Sequence, residues 1–132
     1  MDLAATARRW AEVWTSGWPA KDVEAMAAFY APDATYLSVP FREPDRGVEG
    51  VRSYLTREFG VETDIECWFR SPVVDGQRAA IEWWASWVEG GQELTLAGST
   101  FLRFNDDGLI VDHRDYWNQV DERRPPYDTW DK

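Results

Sequence analysis

The chain is predicted to be α+β, with three N-terminal helices packed on a curved antiparallel sheet. Three observations predict this. Apolar residues recur at helical spacing up to Phe59. From Thr63 to Gln119 the pattern becomes strand-like and is cut by three turn signals, Asp75-Gly76, Gly90-Gly91 and Asn105-Asp106-Asp107-Gly108. No linker, repeat or low-complexity tract divides the 132 residues, so residues 1–132 read as a single domain.

The first helix places Leu3, Ala7, Trp10 and Trp14 on one stripe, with Asp2 as its N-cap and Gly17 as its stop. A second runs from about Asp22 to Tyr30 on Val23, Met26, Ala27 and Tyr30, and Pro32 ends it. A short strand, Thr35 to Val39, closes at Pro40, and the loop FREPDRG follows. The third helix spans Val48 to Phe59, with Val51, Leu55 and Phe59 facing the core and Gly60 as terminator.

Four strands are then expected: Thr63–Val74, Arg78–Glu89, Glu93–Phe104 and Leu109–Gln119. Long strands joined by tight turns form a strongly twisted sheet. The Arg78–Glu89 strand is apolar on both faces, with Ala79, Ile81, Trp83, Ala85 and Trp87 on one and Ala80, Glu82, Trp84, Ser86 and Val88 on the other. One face covers the helices. The other would expose indoles, which predicts a homodimer through the outer sheet face.

Composition narrows the function. With 24 acidic and 14 basic residues the net charge is −10, which disfavours nucleic acid and anionic membranes as partners. The single cysteine, Cys67, allows no internal disulfide. The N-terminus lacks the pattern of a secretory signal, and no apolar run reaches spanning length, so a cytoplasmic protein is expected. One His and one Cys make no metal-ligand cluster, and no phosphate-cradling Gly-rich loop or nucleophile elbow occurs, so no metal and no cofactor are expected. Nine Trp and six Phe are many for this length and suit an aromatic pocket for a hydrophobic small molecule.

The closing segment GLIVDHRDYWNQ is the strongest functional lead. Alternation puts Leu109, Val111, His113, Asp115 and Trp117 on one face, and Ile110, Asp112, Arg114 and Tyr116 on the other. A carboxylate on an otherwise apolar strand face is costly to bury without a partner or a purpose.

The element order, the YAPDATY segment at Tyr30–Tyr36, the Gly47–Gly50 approach to the third helix and the DGLIVDHRDYWN run resemble nuclear transport factor two-like proteins, and among them the SnoaL-like polyketide cyclases. The resemblance implies a conical domain with a deep pocket at its wide end. Arg114, Asp115, Tyr116 and Trp117 match the last-strand run of limonene epoxide hydrolases, in which the Asp enters the pocket. Tyr36 matches their water-holding Tyr, while Ser38 replaces an Asn, and Glu82 and Trp84 stand where an Arg and an Asp are needed. Ketosteroid isomerase chemistry is not supported, because Val39 and Trp14 occupy its Asp and Tyr positions. The SnoaL-like cyclases imply Asp115 as acid/base with His113 near it.

Each candidate has a plainer reading. Asp115 in a pocket walled by Trp84 and Trp117 would suit proton transfer; otherwise it pairs with Arg114 or Arg103 at the sheet rim. His113 could share a ligand with Asp115, at roughly 6–7 Å backbone separation, or be a wall residue bonded to a Tyr or Ser. Glu82, if inward, joins Asp115 as a paired carboxylate; if outward, it bridges to an Arg. Tyr36 and Ser38 would orient an oxygen, or else Tyr36 is a core residue. Trp14, Trp84 and Trp117 are pocket walls or simple core. The predicted function is cofactor-independent acid/base chemistry, such as cyclisation, isomerisation or hydration, on a hydrophobic substrate. The alternative is a non-catalytic ligand-binding protein or dimeric scaffold of the same fold. The tail from Asp121 to Lys132 is expected to fold back as an arm, because Tyr127 and Trp130 are too apolar to hang free.

Overall fold

In the computed structural model, which describes residues 2–130, three helices cover the concave side of a curved, unclosed sheet. Helix α1 (Leu3–Ala20) starts where the Asp2 carboxylate accepts from Ala5 N at 3.0 Å. It does not stop at Gly17. It runs on through Pro19 to Ala20 and ends at Lys21, whose φ of 57° is left-handed. Pro19 has no N–H to give the Thr15 carbonyl four residues back. The Cys67 thiol instead donates to that carbonyl at 3.4 Å. Burial pushes the thiol up to about 12, so it stays a protonated donor.

Helix α2 (Val23–Ala27) is shorter than its apolar stripe predicts. Strand β1 (Tyr30–Leu37) begins before Thr35, because Ile110 N donates to Phe29 O at 2.9 Å and draws the chain into the sheet. Strand β2 (Asp45–Arg46) is a brief pairing with β1 before helix α3 (Gly47–Phe59). The segment predicted as one strand from Thr63 splits into β3 (Thr63–Phe69) and β4 (Val73–Asp75), because Pro72 between them carries no ladder donor. Strands β5 (Arg78–Glu89), β6 (Gln92–Phe104) and β7 (Ile110–Val120) complete the sheet.

The strand order is β2-β1-β7-β6-β5-β3, with β4 also on β5. The sheet is mixed rather than purely antiparallel, because β1 lies parallel to β7. A strand from the first half docks beside the last one, and α3 and the remaining strands lie between them in sequence.

The core sits between α1, α3 and the concave sheet face. Trp10, Trp14 and Trp18 of α1 are buried against Ile81, Trp83, Ala85 and Trp87 of β5. Removing such side chains from water is the main stabilising term of the fold. On β7 the alternation shifts by one residue. Arg103 pairs with Asp112 but Phe104 pairs with Ile110, so Val111 is the extra residue of a bulge. Ile110, not Leu109 or Val111, therefore shares the inner side with His113 and is fully buried.

The tail folds back along the outer sheet face. Arg123 bonds Glu66 Oε1 at 2.8 Å, and the Thr95 hydroxyl donates to Glu122 O at 2.8 Å. Tyr127 meets Trp84 edge-on at 6.5 Å, and Trp130 is buried with Arg70 over its ring. The arm's last two positions, 131 and 132, lie outside the described residues. None of the described helices is long and apolar enough to cross a membrane.

Candidate functional site

A cavity of about 260 Å³ opens between α1, α3 and the inner sheet face. Asp115, His113, Tyr36, Ser38, Trp14 and Trp117 all line it. Glu82 and Trp84 do not. The apolar set of β5 faces the helices, so strand alternation turns Glu82 and Trp84 to the opposite side. There Glu82 pairs with Arg70 Nη1 at 2.8 Å, and Trp84 packs beside the arm. The indoles that wall the cavity from β5 are Trp83 and Trp87.

Parallel pairing of β1 with β7 sets Tyr36 opposite His113, and their rings stack at 3.8 Å between centroids and 19° between planes. Antiparallel pairing of β6 with β7 sets Thr100 opposite Asp115. Among the described residues Asp115 makes neither ion pair of its plainer reading: Arg114 lies on the outer face and bonds Asp112 at 3.2 Å, and Arg103 stands opposite Asp112 in the β6–β7 ladder.

A hydrogen-bond chain converges on one carboxylate oxygen. Trp10 Nε1 donates to the Tyr30 hydroxyl at 3.3 Å, and Tyr30 bonds His113 Nδ1 at 2.8 Å. His113 Nε2 bonds Asp115 Oδ1 at 2.8 Å. From the other side Trp83 Nε1 donates to Thr100 Oγ1 at 2.8 Å, and Thr100 donates to the same Asp115 Oδ1 at 2.6 Å. Indole nitrogen can only donate. The Asp115 carboxylate oxygen accepts, so His113 takes the tautomer that donates from Nε2, and its bare Nδ1 accepts from the Tyr30 hydroxyl. Among the described residues no hydrogen bond reaches Asp115 Oδ2, the oxygen left for the cavity.

The surrounding phenols stay protonated. Burial raises Tyr30, Tyr36 and Tyr54 well above the ordinary phenol value, and the nearby Asp115 charge raises each further. Ser38 accepts from Arg42 Nη1 at 3.1 Å, and its backbone carbonyl accepts from Trp117 Nε1 at 2.7 Å. Among the described residues no three His, Cys, Asp or Glu side chains converge as a metal site.

Sequence reasoning missed Tyr30, Thr100, Trp10 and Trp83. Tyr30 looked like the end of a helix. Thr100 faces Asp115 only because the Val111 bulge shifts the hairpin register, which the turn sequence does not reveal.

The fold that carries this site, helices packed on a curved, unclosed sheet, is shared with known proteins. The SnoaL-like domain profile matches residues 7–113, and the chain belongs to that family. No curated protein matches it in sequence. The Mycobacterium tuberculosis protein RV0760c is similar with a TM-score of 0.75 at 18% identity, over 87% of this chain and 95% of its own. An LEH-like epoxide hydrolase of the same organism has a TM-score of 0.71 at 22% identity, over 86% of this chain and 84% of its own. The epoxide hydrolase/cyclase-like enzyme SalBIII, described with pyran ring formation in the polyether salinomycin, has a TM-score of 0.75 at 14% identity, over 89% and 95%. Identities this low establish the shared fold.

Proposed function

We propose that this protein is a small-molecule enzyme that uses Asp115 as an acid/base on a hydrophobic substrate, in a cyclisation, isomerisation or hydration that needs no cofactor. The observation that supports it is the asymmetric treatment of the Asp115 carboxylate. Two donors hold Oδ1, while no described residue bonds Oδ2 and Asp115 lines an aromatic-walled cavity. A carboxylate held in this way can take a proton from bound water or substrate and return it without reorganising. His113 is a positioning residue in this reading, because both ring nitrogens are engaged within the protein. Tyr36, Ser38 and Tyr54 offer hydroxyls from the wall for a substrate oxygen. The epoxide hydrolase and cyclase-like neighbours support ring-forming or ring-opening chemistry.

The test begins with thermal-shift screening of hydrophobic epoxides and polyketide-like carbonyl compounds, followed by turnover of those that bind. Asp115→Asn should abolish most turnover, by about 100-fold or more, and leave ligand affinity close to wild type. A change in affinity alone, with no turnover in either protein, would instead establish the non-catalytic binding alternative.

We also propose a homodimer through the outer sheet face. The arm leaves the Phe101–Tyr116 ring pair there exposed, with centroids 5.7 Å apart. Sedimentation equilibrium should give a dimer that Phe101→Glu dissociates. A wild-type monomer at every concentration would refute it.

A further inference from the structure

The cavity has a second polar end that the Asp115 chemistry does not use. Glu62, just beyond α3, is only 4% exposed and lines the cavity. Its Oε1 accepts from Trp18 Nε1 at 2.8 Å, and among the described residues nothing bonds its other oxygen. Glu58 and Glu89 line the same cavity, and Trp87 Nε1 donates to Glu89 Oε1 at 3.2 Å. Trp18 and Trp87 are neighbours, with ring centroids 5.7 Å apart. Two indoles thus hold two carboxylates at one end of an aromatic cavity.

Helix α1 joins this end to the Asp115 end. Trp10, Trp14 and Trp18 follow one another at four-residue spacing, a span of about 12 Å along the axis. Trp10 lies beside His113 at 6.0 Å between centroids, and Trp18 holds Glu62. Trp14, between them, is 5% exposed, and its Nε1 is buried without a partner. A buried N–H with no acceptor is costly, so the protein alone leaves this stretch of the cavity wall unsatisfied.

We propose that the Glu62 end binds the ammonium group of a hydrophobic amine, whose apolar body lies along the α1 tryptophans with its reacting end at Asp115. This rests on the cavity being the ligand site, as proposed above, and adds the substrate's chemical class. The electrostatics favour a cation. Glu58, Glu89 and the Glu62 side chain place three acids around one end, and among the described residues the charges that act on Glu62 are the like ones of Glu58 and Glu89 and the opposite one of Lys21. Indole faces attract ammonium groups, more strongly where water is excluded. Burial, followed by the like charges of Glu58 and Glu89, holds Glu62 up at about 7, although the Trp18 hydrogen bond and Lys21 oppose this. An ammonium beside it favours the charged form, so binding should strengthen as pH rises through neutrality. The Cys67 thiol, the other titratable group acted on by Glu62, stays protonated over that range.

The probes are n-hexylamine and n-hexanol, titrated at pH 8 and followed by calorimetry and tryptophan fluorescence. Wild type should prefer the amine by about tenfold or more, the scale of a desolvated cation–π contact with a carboxylate. Glu62→Gln, which keeps an acceptor for Trp18, should abolish the preference while retaining hexanol affinity. Asp115→Asn should retain the preference. If Glu62→Gln fails to fold, the wild-type preference measured at pH 6 and pH 8 decides: it should grow with pH. Equal affinity for the two probes overturns the amine inference and leaves the cavity reading intact. The same follows from a preference that survives in Glu62→Gln or ignores pH. Binding of neither probe removes both.

Discussion

A carboxylate oxygen accepts and an indole N–H donates, so the two chains that begin at Trp10 and Trp83 both run toward Asp115 Oδ1. This predicts an observable. His113 is the only histidine, so its ring nitrogens can be assigned without mutation. Nitrogen NMR should show a proton on Nε2 and a bare Nδ1, and the opposite tautomer would contradict the network. Tyr30→Phe removes the hydroxyl between Trp10 and Nδ1, leaving a buried indole N–H unpaired. It should cost about 1–3 kcal/mol in denaturant unfolding and allow the second tautomer to appear. Thr100→Val should cost a similar amount, because it strands Trp83 Nε1 and removes one donor to the carboxylate.

At the scale of elements, the site depends on how closely β6 approaches β7. Gly98 faces inward opposite Trp117, and a Cβ built there would collide with Tyr116 O and lie 2.7 Å from Trp117 Cβ. Both neighbours are backbone or backbone-proximal atoms, so the strands themselves would have to separate. Gly98→Ala should therefore destabilise by about 2–3 kcal/mol and disturb Trp117, whose indole holds the Ser38 carbonyl just beyond β1. Chemical denaturation measures the first effect, and ligand affinity the second. An unchanged midpoint would mean that the strand pair can open without cost.

For the whole molecule, Glu62 links pH to folding. Its value in the folded protein is about 7 against an ordinary 4.5, so the native state binds the extra proton between those limits. Stability from this group is fully present below about pH 4.5 and is lost as pH rises to about 7. The loss amounts to about 3 kcal/mol. Unfolding midpoints at pH 5 and pH 8 should therefore differ more in wild type than in Glu62→Gln, which has no proton to lose. Identical pH dependence in the two proteins would show that Glu62 titrates as it does in the unfolded chain.

The amino-acid pattern alone determined that two helices, a strand and a third helix precede the long strands, where the three Gly turns fall, and that β5 keeps its apolar set to one side. These are local matters of side-chain period and turn chemistry. It also singled out His113, Asp115 and Trp117 as sharing a face, since two-residue alternation survives beyond the bulge. Only the tertiary structure decided that β1 lies parallel to β7, which stacks Tyr36 on His113 and brings Tyr30 to Nδ1. It also decided that a one-residue bulge sets Thr100 against Asp115, and that Glu82 and Trp84 face away from the cavity while Glu62 enters it. Those outcomes depend on contacts between residues far apart in the chain. Their free energy comes from packing two surfaces together, which no window of neighbouring residues contains.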